Sequence, residues 1–449
     1  MRNILFLLLL FPWPALAGNL PVYTEHQKLF REYEKLESLV FEGLTFSPAS
    51  IEVQKGINFK FVVRDQLGDL WLFKGGLAAR DGAVAMYRFF NLFGLRTPEI
   101  HYKDFLINGK TVSGTLQRFL EGSSDLQSDV GYVMLGEREW DYIAKNQVLS
   151  WLLGNYHVKL NQFLVSPAIE GDSRLVRIDN SIEWFLVGRD RLALDYVTPM
   201  LWNDSSTGYT RFWRQYFLGL VRLDLKELYR FVSYVSDFPD DEFRGILRRG
   251  IGGGLEFFPN SLMRQPERLF PDIFQGLLKE RFLSRVLKRK RSLMKDYGRF
   301  YSEIAGYHGE KVSFRAGGEE AIGKEILAGL QKKMARLRER ADSLHGSQPA
   351  RQAPLELPLS YEAHAALTDY FRTITVFPKS GTSGNLFQGL LGKLTALEKG
   401  TSHPMELEAI RSVRGLANKL AAACASPNSQ ECNQALRLTQ GGFLSNLKH

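Results

Sequence analysis

Three short stretches of this chain carry residue types suited to phosphate, a proton and a divalent cation. Phe73-Lys74 closes a β-prone run. The segment Gly154-Asn155-Tyr156-His157-Val158-Lys159-Leu160-Asn161-Gln162-Phe163-Leu164-Val165 gathers a histidine, a lysine and side-chain amides, and Ile178-Asp179-Asn180-Ser181 follows a short loop later. Phosphoryl transfer asks a protein mainly to position phosphates, metal and nucleophile, so a lysine, a base and two metal ligands form its minimal set. His157 accepts a proton near neutral pH, its ordinary pKa being ~6.5, but a neutral imidazole sets no negative charge beside metal or substrate. Lys159 adds a fixed positive charge that either holds a phosphate or neutralises its surroundings. A loop so composed suits binding an anion better than activating a hydroxyl. Each residue also has a plainer reading, with Lys74 an ordinary strand-end lysine and Asp179 the cap of a turn.

The elements that must position these residues follow from periodicity and punctuation. Gln27 to Glu42 predicts a helix, with Leu29, Phe30, Tyr33 and Leu36 at helical spacing. Asn58 to Arg64 and Asp69 to Lys74 are β-prone runs separated by Asp65-Gln66-Leu67-Gly68, the pattern of a hairpin. Ala83 to Phe93 predicts a helix that Gly94 ends. After Pro98, strands are expected at His101 to Leu106 and Val112 to Phe119, joined at Asn108-Gly109. Trp140 to Leu153 predicts a helix closed by Gly154-Asn155, with strands next at Phe163 to Val165 and Arg174 to Ile178. From Arg211 to Gly306 the pattern is mainly helical.

In order along the chain stand a Phe-Lys strand, a helix ending in Phe-Gly before a proline, a strand into Leu116-Gln117-Arg118-Phe119-Leu120, a helix into Leu-Gly-Asn, the loop and Ile-Asp-Asn. Over about Ile51 to Asn180, and more loosely to Ile304, the chain resembles the atypical kinase-like superfamily that includes HipA-type, phosphatidylinositol and secretory-pathway kinases. The resemblance implies an α+β, bilobal protein-kinase-like fold with a small antiparallel-sheet lobe and a mainly helical large lobe. It gives Lys74 to ATP phosphates, and Asp179 to Mg or Mn held against them. In such families the loop reads Gly-Asn-x-Asp-x-His-x-x-Asn-Phe. One register sets His157 at the base, Lys159 at the histidine and Gln162 at the metal-ligand position; a one-residue shift keeps Asn161 as the ligand and sets Tyr156 at the base. Neither supplies the aspartate. The helix after Lys74 offers Ala83, Val84 and Ala85 where the family has its glutamate, with only Asp81 near its start. Current catalysis is therefore in question, and the expectation is a pseudokinase that binds a ligand or partner. The alternatives are an active ATP-dependent phosphotransferase or nucleotidyltransferase, and a non-enzymatic envelope interaction protein.

Arg2, the apolar run Ile4 to Phe11, Pro12-Trp13-Pro14 and Ala15-Leu16-Ala17 have the layout of a cleaved secretory signal, which implies export to the periplasm or beyond the cell. That run is far shorter than the ~20 residues that span a bilayer, and no later stretch is long enough, so no transmembrane segment is expected. The expected order is signal peptide 1–17, sheet region with leading helix 18–122, helical region with the loop 123–310, helical extension 311–345, linker 346–359 and a small α-helical C-terminal domain 360–449. The two cysteines, Cys424 and Cys432, flank Pro427-Asn428 and suit one disulfide in an exported chain. A net charge of +9 favours acidic partners, either an anionic ligand or an envelope or extracellular protein. The basic span Arg281 to Arg299 contains Arg285 and Lys288 to Arg291, and is expected to be a solvated helix face. No nucleic-acid reader motif accompanies it, so no nucleic-acid partner is expected.

Overall fold

The structure is a computed structural model. It describes residues 21–49, 59–75, 81–107, 109–126, 133–155, 158, 162–166, 173–178, 192, 208–251, 271–345, 352 and 355, with scattered positions between 391 and 422. The signal-like segment, His157, Lys159, Asn161, Asp179, Cys424, Cys432 and most of the C-terminal domain lie outside the described residues. Among those described, no helix is long and apolar enough to cross a membrane.

The strands are β1 (Phe46–Pro48), β2 (Phe59–Asp65), β3 (Leu70–Gly75), β4 (Ile100–Ile107), β5 (Lys110–Arg118), β6 (Ser124–Asp125), β7 (Phe163–Val165) and β8 (Leu175–Arg177). The helices are α1 (Pro21–Glu42), α2 (Asp81–Leu92), α3 (Glu137–Leu153), α4 (Gly208–Phe217), α5 (Leu225–Asp237), α6 (Asp240–Gly250), α7 (Pro271–Tyr307) and α8 (Glu319–His345). Helix α1 begins six residues before the expected Gln27, because Val22, Tyr23 and His26 continue its buried stripe N-terminally. The chain is α+β and falls into two compact units.

One unit takes Thr45–Arg80, His101–Phe119 and Ala350–His449. Its sheet has the strand order β1-β2-β3-β5-β4, antiparallel from β1 through β5. Asp65 builds the β2–β3 hairpin. Its carboxylate accepts from the backbone N–H groups of Leu67 and Asp69 and from the Trp71 indole, each at 2.9 Å, while Gly68 takes a φ of 93°. Strands β1 and β4 stand at opposite ends of the strand order, yet the rings of Phe46 and Phe105 lie 5.9 Å apart. With neighbouring strands ~4.8 Å apart, a flat sheet would hold these rings far beyond contact, so the sheet curls around its aromatic core. Phe61, Trp71 and Phe73 complete that core. A short piece of the expected linker clasps the curl: the Gln352 amide bonds both the backbone N–H and carbonyl of Phe46 at 2.9 Å, and Leu355 donates its N–H to Leu106 on β4 at 2.8 Å.

The other unit takes Met1–Leu44, Asp81–Ile100 and Leu120–Pro349. Helices α1 and α2 therefore group with the helical body. Helix α1 runs along α8, α5 along α7, and α2 along α6, where Phe89 meets Phe243 edge to face at 4.6 Å. The basic span of α7 divides between surface and interior. Lys288 is exposed, whereas Arg289 and Lys290 are buried. Arg289 stacks 3.9 Å over the Trp151 ring, and Lys290 binds Asp240 at 2.8 Å and the Ser236 carbonyl at 2.6 Å. A solvated face is the wrong description of these two, since their stems fill the helix interface while each head finds a partner.

Candidate functional site

Lys74 is the penultimate residue of β3, opposite Lys60 on β2 and Thr115 on β5, and is half-buried. The strand beneath it is specified closely. A Cβ at Gly114 would sit 2.6 Å from the Phe73 ring and closer still to the Lys74 carbonyl, so only glycine lets β5 approach β3 at that point.

Helix α2 follows Lys74 in sequence, and its described polar anchors lie in the helical unit. Tyr87 donates to the buried Glu37 of α1, which also accepts from Tyr33. Arg88 approaches Glu34 at 3.8 Å, and Asn91 accepts from Lys333 of α8 at 2.7 Å. Burial, with the Glu37 charge beside them, pushes the Tyr33 and Tyr87 hydroxyls well above their ordinary range, so both stay protonated donors. The Asp81 side chain lies outside the described residues. A carboxylate from α1 that receives hydrogen bonds thus helps to hold α2, in a chain whose α2 has no glutamate of its own.

Helix α3 delivers the loop. Glu139 in its first turn accepts from the Gly136 N–H at 3.1 Å and from the Arg174 N–H at 3.0 Å, tying the helix start to the entry of β8. At the other end Gly154 adopts φ 72°, the left-handed position that stops a helix, and the Asn155 N–H returns to the Ser150 carbonyl at 2.8 Å. Arg289 donates to the Trp151 carbonyl within this last turn. Beyond it, Asn155, Val158 and Gln162 are buried. The Gln162 carbonyl accepts the Ile178 N–H at 2.8 Å, and the β7–β8 pairing continues through Phe163 with Arg177. Of the sequence candidates, Gln162 is thereby fixed one residue after Asn161 in the chain and bonded one residue before Asp179. Among the described candidates, Lys74 belongs to the sheet unit and Gln162 to the helical unit.

Sequence reasoning missed a buried polar cluster behind this pair of strands. Arg177, fully buried, donates through Nη1 to Asn146 Oδ1 at 2.9 Å and Tyr209 Oη at 2.8 Å, and also to Ser150. Tyr209 donates onward to Asn146 at 2.5 Å. The Arg177 N–H donates to Tyr142 Oη at 3.0 Å, and Tyr142 in turn donates to the Arg96 carbonyl at 2.6 Å. Burial raises the pKa of both tyrosines even with the Arg177 guanidinium nearby, which keeps them neutral. A cation inside a strand of aliphatic neighbours, and Asn146 with Ser150 at i and i+4 on an otherwise apolar helix face, were the signals available. The cluster fixes β8 against α3 and α4.

No family model matches the chain, and no curated protein matches it. Among solved structures the chain is similar to a MAP kinase, LmaMPK10 from Leishmania major, at 13% identity and a TM-score of 0.22, over 68% of this chain and 99% of that one.

Proposed function

We propose that this chain is an exported kinase-like protein whose nucleotide-site residues now serve ligand or partner binding, with efficient phosphoryl transfer lost. The observation that carries the reading is the bond between the Gln162 carbonyl and the Ile178 N–H, which ties the end of the loop to the strand running into Asp179. It supports a role for Asp179, with Gln162 or Asn161, in holding a divalent cation. One carboxylate with amide oxygens suits Mg²⁺ or Mn²⁺ bound chiefly through nucleotide phosphates. A bound ATP would supply a transferable phosphoryl group. By the family resemblance Lys74 would contact its phosphates, Lys159 would add positive charge, and His157 would be able to take a proton at neutral pH. The missing loop aspartate, together with an α2 anchored to Glu37 in place of an own glutamate, supports weak or absent catalysis.

Calorimetric titration with ATP, with and without Mg²⁺ or Mn²⁺, tests this on wild type and Asp179→Ala. Metal-dependent binding that Asp179→Ala removes, without phosphate transfer, is the expected result. Transfer abolished by Lys74→Ala and Asp179→Ala would instead establish an active transferase. No binding at millimolar nucleotide would leave an envelope interaction protein, recognised through other surfaces.

A further inference from the structure

A cavity of about 480 Å³ lies within the helical unit, between the end of α2, the first half of α3, and α5 and α8. Its floor is apolar, made by Phe93, Phe231 and Ile326, all buried. Gly94 forms one corner with φ 75°, where a Cβ would press on Ile326 at 3.3 Å. Four cations line the walls, Arg96, Arg138, Lys145 and Lys332, against two carboxylates, Asp141 and Glu325.

The cations differ in how they are held. Arg96 is fixed by the Ser173 carbonyl at 3.0 Å and the Ser166 hydroxyl at 3.1 Å. Lys145 is fixed by Asp141 at 2.7 Å and lies 5.5 Å from the centre of the Phe231 ring. Arg138 is exposed at the rim and has no hydrogen-bond or ion-pair partner among the described residues. With Asp141 engaged by Lys145, the walls retain an excess of positive charge over an apolar floor. A volume of this size falls within the ~300–1,000 Å³ of small-molecule sites, and Arg96, already immobilised, loses little freedom when a ligand arrives.

From these features we infer that the cavity binds a small amphipathic anion, a single carboxylate on an aliphatic body, with Arg138 and Arg96 at the carboxylate and Phe93, Phe231 and Ile326 around the chain. None of the residues that line the cavity is a nucleotide-site candidate. Its wall is connected to β8, because Tyr142 lines the cavity and bonds both the Arg96 carbonyl and the Arg177 N–H.

Calorimetry with decanoate below its micelle concentration, on the full chain, tests the inference, with acetate and decyltrimethylammonium as comparison probes. The expected result is one decanoate per chain, with acetate at least tenfold weaker for want of an apolar body. Arg138→Glu should weaken decanoate binding at least tenfold, and Ala328→Trp, which fills the cavity from an exposed position, should abolish it. Circular dichroism of both variants should match wild type. Three results would overturn the site: no decanoate binding, equal or tighter binding of the cationic probe, or wild-type affinity in both variants.

Discussion

The Tyr87 hydroxyl on α2 donates to the Glu37 carboxylate on α1, and both groups are buried. Tyr33 shares this acceptor and its hydroxyl lies 3.1 Å from that of Tyr87, so without the carboxylate only one of the two hydroxyls can still donate, to the other. Glu37→Ala should lower unfolding stability by about 3 kcal/mol, and Glu37→Gln, which keeps an acceptor oxygen, by less. Urea denaturation checks this, and an equal loss for both variants would deny the carboxylate its role.

Gly114→Ala should destabilise the sheet unit by about 1–3 kcal/mol, since the new methyl meets the Phe73 ring at 2.6 Å and β5 must draw back from β3. Lys74→Ala, at a half-buried strand end, should leave thermal stability almost unchanged. A Gly114→Ala protein that melts like wild type would mean that the two strands do not approach this closely.

His26 is buried on α1 with Nδ1 2.6 Å from the Tyr234 hydroxyl, and burial lowers its pKa to about 4. The unfolded chain takes up this proton near pH ~6.5, the folded chain only near 4. Stability from this residue is therefore complete above pH ~6.5 and falls as pH drops toward 4, by roughly 3 kcal/mol in all. Unfolding measured between pH 7.5 and 4.5 should show this slope in wild type, and His26→Gln should flatten it.

Arg177→Met should cost about 3 kcal/mol, because Asn146, Ser150 and Tyr209 lose their shared donor inside the protein. Combined with Asn146→Leu, the losses should fall well short of additive, as expected for partners in one network. Additive losses in thermal or urea unfolding would dissolve the cluster into independent contacts.

The sequence made the local elements legible where punctuation was strong. Gly154 marked the end of α3, and Asp65 to Gly68 marked the hairpin, because each turn is settled by its own residues. Pairings at a distance were not legible. The burial of Arg289 and Lys290 depends on Trp151 and Asp240, which lie far away along the chain. Of the candidate site, the strand and loop that carry Lys74 and Gln162 were readable from motif order, whereas the Arg177 cluster was not. Its partners come from α3 and α4, and the isolated Asn146, Ser150 and Arg177 in otherwise apolar patterns do not say which of them meet.

The clasp formed by Gln352 and Leu355 bears on the order in which this chain acquires its structure. Gln352 meets a backbone partner 306 positions earlier, so the sheet made by residues 46 to 118 lacks its final contacts until more than two hundred further residues have been synthesised. Long closures of this kind form late and slowly. Until then the β1 and β4 edges stand with unsatisfied backbone groups, the feature that invites strand pairing between nascent chains. Any fragment ending before residue 352 carries that hazard permanently, however complete its helices.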